Sequence, residues 1–211
     1  MKTEFVIFDM DGTLVDSELC AAHALVDVLP QNFNIDATQM LARFRGVRTA
    51  NILDALSRQF GPVDVDTTIE KFRQRENELA AEFITLNPGV EQLLSALQSL
   101  SLPYCIASNA PIEKTVRSLK LCEIDEYFGD NIFSAYQVHS WKPDPGLFLH
   151  AALKQGIDPG KCLVVEDSEV GIEAAIAAQM QAVFYNPHQL PTPHAQAIVV
   201  SELGQLLDCL A

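Results

Sequence analysis

Asp9-Met10-Asp11-Gly12-Thr13 follows a short apolar run and sets two carboxylates two residues apart. On an extended segment, residues i and i+2 face the same way, so both carboxylates point to one side and repel unless a cation or a proton lies between them. Gly12 lets the backbone turn away there without a Cβ penalty. Taken alone, D-x-D-G is equally the polar turn that ends a strand. A second acidic pair, Glu166-Asp167, closes the run Cys162-Leu163-Val164-Val165. Two such pairs side by side supply hard oxygen ligands for an octahedral Mg2+ that keeps waters and takes a phosphate oxygen. The plainer reading of Asp167-Ser168 is a cap for the helix that follows, and one turn can do both. Ser108-Asn109 ends a third run with a hydroxyl and backbone amides able to bind phosphate oxygens, or simply turns the chain. Lys142, within Trp141-Lys142-Pro143-Asp144-Pro145, is a candidate fixed cation because its neighbours are rigid; a lone lysine is more commonly solvated.

These groups can meet only if the runs that carry them lie side by side. Residues 4–8, 103–107, 131–133, 162–165 and 182–185 are short, apolar and β-branched, the pattern of fully buried strands. Between them, helical spacing opens on start signals: Asn87-Pro88 before residues 90–100, Pro111 before 112–120, Pro145 before 146–156 and Glu169 before 170–179. Strands alternating with helices predict an α/β fold, a doubly wound parallel sheet of Rossmann-like type, whose ligands gather beyond the carboxyl ends of the strands. Asp9, Ser108 and Glu166-Asp167 all fall at such ends.

Residues 17–86 break the alternation, with helical periodicity throughout and no convincing strand, and they are too many for one crossover. They read as an all-helical domain inserted into a core of residues 1–16 and 87–211, with hinges near 15–17 and 86–89. Inside the insertion, residues 49–60 and 68–83 place apolar side chains at i, i+3 and i+4, which suits packing within it. Residues 187–195 form a proline-rich surface loop before a last short strand at 197–200 and a terminal helix.

Composition narrows the partners. The 211 residues, 48% hydrophobic and 20% charged, suffice for one globular domain with a smaller insertion and exclude disorder. A formal charge of -14 repels phosphate backbones and anionic lipid, so neither nucleic acid nor membrane is an expected partner. An anionic substrate must then be caught by local cations, a metal or backbone amides. Cys20, Cys105, Cys122, Cys162 and Cys209 show no C-x-x-C spacing and read as buried free thiols of a reducing compartment. The first residues put charges inside what would have to be a signal peptide's apolar stretch, and no run approaches the ~18 residues of a membrane span. A cytoplasmic location is expected, and a monomer, since nothing resembles a heptad seam.

In order, DMDGTLVDS, SN, WKPDP and VVEDSEVGI resemble the four motifs of the haloacid dehalogenase superfamily. The helical insertion after the first motif resembles the cap of its β-phosphoglucomutase-like branch, and the likeness spans essentially the whole chain. FSAYQVHSWKPDPGLFLHAA and ARFRGV further resemble its 6-phosphogluconate phosphatase-like members. The resemblance implies a Mg2+-dependent phosphatase acting on a small phosphomonoester, a sugar or sugar-acid phosphate. Asp9 would be the nucleophile, forming a phosphoaspartate, because a carboxylate is ionised at pH 7 and needs no base. Asp11 would protonate the leaving alkoxide and then activate water, its backbone carbonyl meeting the metal. Asp9 and Asp167 would complete the metal site, with Glu166 binding directly or through water. Ser108, the Asn109 amide and Lys142 would hold the other phosphate oxygens, while Asp144 and Ser168 orient Lys142 and the acidic loop.

In the cap, Arg45, Gly46, Val47 and Arg48 match the position of the loop that closes on substrate in this branch. Arg45 and Arg48 would meet a second anionic group by bidentate contacts; solvated arginines at a helix end are the alternative. A phosphosugar mutase of the β-phosphoglucomutase type is the close alternative in function. Mutase members carry a cap histidine where DMDGTLVDSELCA places Ala21, and His23 is two residues out of that register. A non-enzymatic binder of phosphorylated ligands on the same fold is a third reading, one with no use for Asp11. Asp11 also argues against dehalogenation, since an ester leaving group needs an acid and a halide does not.

Overall fold

Phe5-Val6-Ile7-Phe8 has no polar side chain on either face, so a strand of this sequence must be covered on both sides. In the computed structural model, which describes residues 2–44, 47 and 49–210, it forms β1 (Phe5–Phe8), buried at every position. Two short strands, β2 (Val15–Asp16) and β3 (Thr85–Leu86), mark where the chain leaves and rejoins the unit that contains β1. That unit comprises the residues up to Val15 and those from Leu86 onward, and Asp16–Thr85 form the other. β3 was not expected, because two residues are too few for alternation to register.

The remaining strands are β4 (Tyr104–Ser108), β5 (Ile132–Ser134), β6 (Cys162–Glu166), β7 (Gln181–Tyr185) and β8 (Ile198–Val200). Among the described residues, six strands make one parallel sheet in the order β5-β4-β1-β6-β7-β8. Chain order reverses across β1, the place where an open α/β sheet leaves a crevice. Register pairs Phe8 with Ile106 on one side and with Val165 on the other. Asp9, Ser108 and Glu166 therefore share one carboxyl edge.

The unit Asp16–Thr85 consists chiefly of α1 (Glu18–Val28), α2 (Ala37–Phe44), α3 (Thr49–Phe60) and α4 (Val65–Phe83). Cys20, Leu25, Met40, Leu53, Leu56 and Leu79 are buried in it. Phe33 stacks on Phe60 and His23 on Phe83, with ring centroids 5.2 and 4.4 Å apart. α4 starts three residues before the expected position because Asp64 caps it, accepting from the Thr67 N–H.

In the sheet unit, α5 (Val90–Ser99), α6 (Ile112–Leu121), α9 (Gly146–Gln155) and α10 (Glu169–Ala177) follow the expected start signals. α7 (Asp125–Phe128) and α8 (Ala135–Val138) are single turns, too short for periodicity to reveal. Phe5, Ile7, Cys105, Val164 and Phe184 present one sheet face to Leu147, Phe148 and Ala151 of α9 and Ile172 of α10. Each large side chain fully buried there contributes roughly 1.5–3 kcal/mol. The expected terminal helix is a 3-10 helix, Leu203–Leu210. Its buried Leu203 and Leu206, three residues apart, match a three-residue turn.

Cys20, Cys105 and Cys162 are buried free thiols as expected, but Cys122 and Cys209 are only partly covered, lying at the end of α6 and in the terminal 3-10 turn. Burial pushes the Cys162 thiol up to about 11 and raises Cys105 well above its ordinary value, which leaves both unreactive at neutral pH. No described helix is long and apolar enough to cross a membrane.

Candidate active site

Immediately after β1 the backbone folds over itself. The Asp9 N–H donates to the Val165 carbonyl at 2.9 Å, and the Met10 carbonyl accepts from Thr13, Leu14 and Val15 at 3.3, 2.9 and 3.1 Å. Gly12 has φ of 90°, and a Cβ on it would sit 2.0 Å from Asp167 Oδ2. The position thus requires glycine twice over, for conformation and for space. Thr13 Oγ1 donates to Asp167 Oδ1 at 3.2 Å, tying the two acidic motifs together. Asn87, buried just beyond β3, secures the same loop: its Nδ2 donates to the Gly12 and Thr13 carbonyls, both at 2.9 Å, and its N–H to Leu14 O at 3.0 Å.

Lys142 is 3% exposed, and its Nζ donates to Asp9 Oδ1 at 2.5 Å and to Glu166 Oε1 at 2.6 Å. The Phe148 ring lies beneath it, 4.9 Å from centroid to Nζ. Its backbone is gripped by the Asn109 side chain, whose Oδ1 accepts the Lys142 N–H at 2.9 Å while Nδ2 donates to the Lys142 carbonyl at 3.3 Å. Trp141, expected to fix the lysine, instead turns outward, 41% exposed with its ring edge-on to Tyr136. Asp144 accepts from Ser140 Oγ and the Gly146 N–H, which holds its carboxyl below the usual carboxylate value. It shapes the turn into α9 and acts on Lys142 only through that turn.

Glu166 is almost fully buried with both oxygens engaged: Oε1 by Lys142, Oε2 by the Ser168 N–H at 2.9 Å and Ser168 Oγ at 2.8 Å. The Ser168 hydroxyl in turn accepts from the Gly171 N–H at 3.2 Å, capping α10. Ser108 Oγ accepts the Ala110 N–H at 3.0 Å, which leaves its proton available to an anion. Lys114, in the first turns of α6, brings its Nζ to 3.4 Å from Asp11 Oδ2.

Burial pushes the Asp9 carboxyl up to about 8, outweighing the pull of Lys142, and the charges of Glu166 and Asp11 act in the same upward direction. Burial also works against the Lys142 ammonium, but attraction to Asp9 and Glu166 wins and raises it above the ordinary lysine value. An ammonium held between two carboxylates keeps its proton whichever of them is ionised. Asp9 is therefore the group whose state awaits a further positive charge. Carboxylate oxygens of Asp9, Glu166 and Asp167 lie within 4.8 Å of one another. A compact, hard-oxygen set short of positive charge fits Mg2+.

The sheet edge and its loops thus bring together Asp9, Ser108, Lys142, Glu166 and Asp167, with Asp11 and Asn109 in the same loops. Arg45, Gly46 and Arg48, expected in substrate recognition, lie outside the described residues. Val47 is exposed and, with Ala21, Leu25, Met40, Phe44 and Ile52, lines an apolar cavity of about 100 Å3 within the helical unit. Ala21 thus offers no titratable group at the mutase-histidine position, and His23 is taken up by Phe83. Lys114, Asn87 and Phe148 were not anticipated. Asn87 lay hidden in a helix-start signal, and nothing in the α6 pattern marked Lys114.

Residues 6–185 match the family described as haloacid dehalogenase-like hydrolase. The chain is 32% identical over 208 residues to 6-phosphogluconate phosphatase of Escherichia coli, covering 97% of this chain and 93% of that one. It is 29% identical over 191 residues to a phosphorylated carbohydrates phosphatase of Thermotoga maritima, covering 89% and 87%. A solved Thermotoga maritima structure with a β-phosphoglucomutase assignment superposes with a TM-score of 0.75 at 27% identity, covering 99% of this chain and 98% of that one.

Proposed function

Because the chain belongs to the haloacid dehalogenase-like hydrolases, in their β-phosphoglucomutase-like branch, we propose that its phosphatase chemistry runs on Asp9 and Asp11 with Mg2+ and is directed at a sugar-acid phosphate such as 6-phosphogluconate. The chain is a phosphoric monoester hydrolase of the sugar-phosphate type. One observation carries the finer reading: a buried lysine bonded to Asp9 and Glu166 at the edge where Ser108 and Asp167 also converge.

An Asp9 carboxylate oxygen attacks phosphorus in line, forming the phosphoaspartate as the P–O bond to the alcohol breaks. Asp11 hands its proton to the departing alkoxide, then takes one from the water that attacks the phosphoaspartate. Inorganic phosphate leaves and the Asp9 carboxylate is restored. Lys142, Ser108 Oγ and the Asn109 N–H hold the phosphoryl oxygens, and Glu166 keeps Lys142 aimed at them. Asp9, Asp167 and the Asp11 carbonyl would hold Mg2+, which would supply positive charge beside Asp9 and the anionic phosphoryl group. The 6-phosphogluconate assignment draws on the Escherichia coli relative and on Arg45 and Arg48, which we assign to a second anionic group.

A mutase is the second reading, favoured by the Thermotoga maritima structure and opposed by Ala21 in place of a cap histidine. The deciding experiment is phosphate release from sugar, sugar-acid and nucleotide monophosphates, with Mg2+ or chelator, for the native chain and Asp9→Asn. Metal-dependent release that is lost in Asp9→Asn is the expected result. Isomerisation of a sugar phosphate without stoichiometric phosphate would establish the mutase. Binding without turnover of any substrate would leave a ligand-binding protein.

A further inference from the structure

Lys142 and Lys114 both lie within ion-pair distance of motif carboxylates, yet they occupy different positions. Lys142 is buried among Asp9, Glu166 and the Phe148 ring, on the side where the phosphoryl group is held. Lys114 approaches Asp11 instead, at 3.4 Å, with 21% of its side chain exposed. In an in-line displacement at Asp9, the group that protonates the leaving oxygen stands on the alcohol's side of phosphorus. A hydrogen bond from Asp11 to that oxygen spans about 2.7 Å, so the Lys114 ammonium would lie within about 6 Å of the ester oxygen if Oδ2 makes the bond and within about 8 Å if Oδ1 does. Its pairing with Asp11 would set it on the alcohol's side of phosphorus.

Lys114 is also well held. It stands in the first turns of α6, directly after the Ser108-Asn109 turn, with its N–H bonded to the Pro111 carbonyl at 3.1 Å. The side chain is largely covered, which limits the positions its point charge can take beside a ligand. In a chain of formal charge -14, a substrate bearing an anion beyond its phosphate is repelled at long range and needs a local cation to be retained.

We propose that Lys114 is a specificity-determining residue of the sheet unit, binding a carboxylate on the leaving alcohol and so favouring sugar-acid phosphates over neutral sugar phosphates. This rests on the phosphatase reading of Asp9 and Asp11, and it adds a selecting charge on α6 to the arginines assigned to the same anionic group. Asp11 and the substrate carboxylate share the ammonium, which bridges the acid-base residue and the far end of the alcohol.

The test compares 6-phosphogluconate with glucitol 6-phosphate, in which a hydroxymethyl group replaces the carboxylate. Steady-state kinetics with Mg2+ are measured for the native chain, Lys114→Met and Lys114→Arg, with Lys114→Gln standing in should Lys114→Met not fold. Lys114→Met is expected to lower the ratio of kcat/KM for 6-phosphogluconate over glucitol 6-phosphate roughly tenfold, mainly through KM, and Lys114→Arg to restore most of it. Equal losses on both compounds would reduce Lys114 to a support for Asp11 and overturn the proposal, as would an unchanged ratio. Calorimetric binding of both compounds to Asp9→Asn, with and without Lys114→Met, provides a readout free of turnover. A preference for 6-phosphogluconate that disappears with Lys114→Met upholds the proposal even where the native chain hydrolyses neither compound, which would sink the sugar-acid phosphatase reading alone. No preference, or one that survives the substitution, sinks the role of Lys114 whatever the turnover.

Discussion

The Asn109 side chain holds Lys142 by its backbone from both directions, its oxygen accepting the lysine N–H at 2.9 Å and its amide donating to the lysine carbonyl at 3.3 Å. A residue at the end of β4 thereby fixes a cation supplied by a loop more than thirty residues further on. Asn109→Ala removes both bonds without touching the ammonium. It is expected to lower kcat about 10- to 100-fold through misplacement of Lys142, with a stability loss of roughly 1–3 kcal/mol. Kinetics alongside urea unfolding would show this, and native kcat in Asn109→Ala would mean that Lys142 is placed by its ion pairs alone.

Gly12 and Gly156 both have positive φ, 90° and 67°, but only Gly12 has a carboxylate where a Cβ would be. Gly156→Ala is expected to cost only its conformational penalty, about 1 kcal/mol, with activity kept. Gly12→Ala must displace Asp167, and we expect activity to fall at least ~100-fold together with Mg2+ affinity, as when a metal ligand's support is lost. Parallel kinetics and magnesium titrations separate the two; similar behaviour of both variants would show that Asp167 can move aside freely.

Asn87 donates to two carbonyls of the acid-base loop, so the sign of its polar tip matters more than its size. Asn87→Asp sets an acceptor against the Gly12 and Thr13 carbonyls, whereas Asn87→Ala merely leaves them unbonded. Loss of the bonds costs about 1–3 kcal/mol, and Asn87→Asp is expected to be the less stable of the two above pH 6. Thermal melts at neutral pH check the order, which should narrow in acid as the introduced carboxyl becomes a donor.

Burial raises the Asp9 carboxyl from its ordinary 3.8 to about 8 in the folded chain without metal. The folded state therefore binds more protons than the unfolded one between those limits. Stability from this group is fully present below 3.8, declines as pH rises through the window and levels off above about 8. A metal bound at Asp9 displaces that proton, so magnesium should raise the melting temperature more at pH 8 than at pH 5.5. Calorimetry at pH 7 in buffers of different ionisation enthalpy should record release of about one proton per ion. A pH-independent magnesium effect with no proton release would place the ion elsewhere.

Much of this arrangement was legible in the sequence because a strand buried on both faces cannot hide its end. Phe5–Phe8 stops at Asp9 and Cys162–Glu166 at its own carboxylate, so composition changes where the sheet does. The helices behind Pro111 and Pro145 were legible for the same local reason. What sequence left dark depends on rotation and depth. Lys114 lies in an amphipathic helix, and only the packing of α6 decides that its side chain reaches Asp11 instead of solvent. Asn87 carries a start signal that accounts for it fully without the Gly12 and Thr13 bonds. Trp141, adjacent to Lys142, was the aromatic expected to hold it, and tertiary packing instead placed Phe148, six residues away, against the ammonium.

The register of β1 bears on how this protein comes off the ribosome. Phe5 pairs with Cys162 and Val6 with Tyr104, so β1 emerges before both of the strands it pairs with. At about 5–20 residues per second, β6 appears on the order of ten seconds or more after β1. Until β4 appears an entirely apolar strand has both edges open, while α1–α4 pack within residues 16–85 and are complete in the chain before either neighbour of β1. The inserted helices thus stand in the chain between β1 and both of its partners, and sheet assembly must wait for synthesis to pass them.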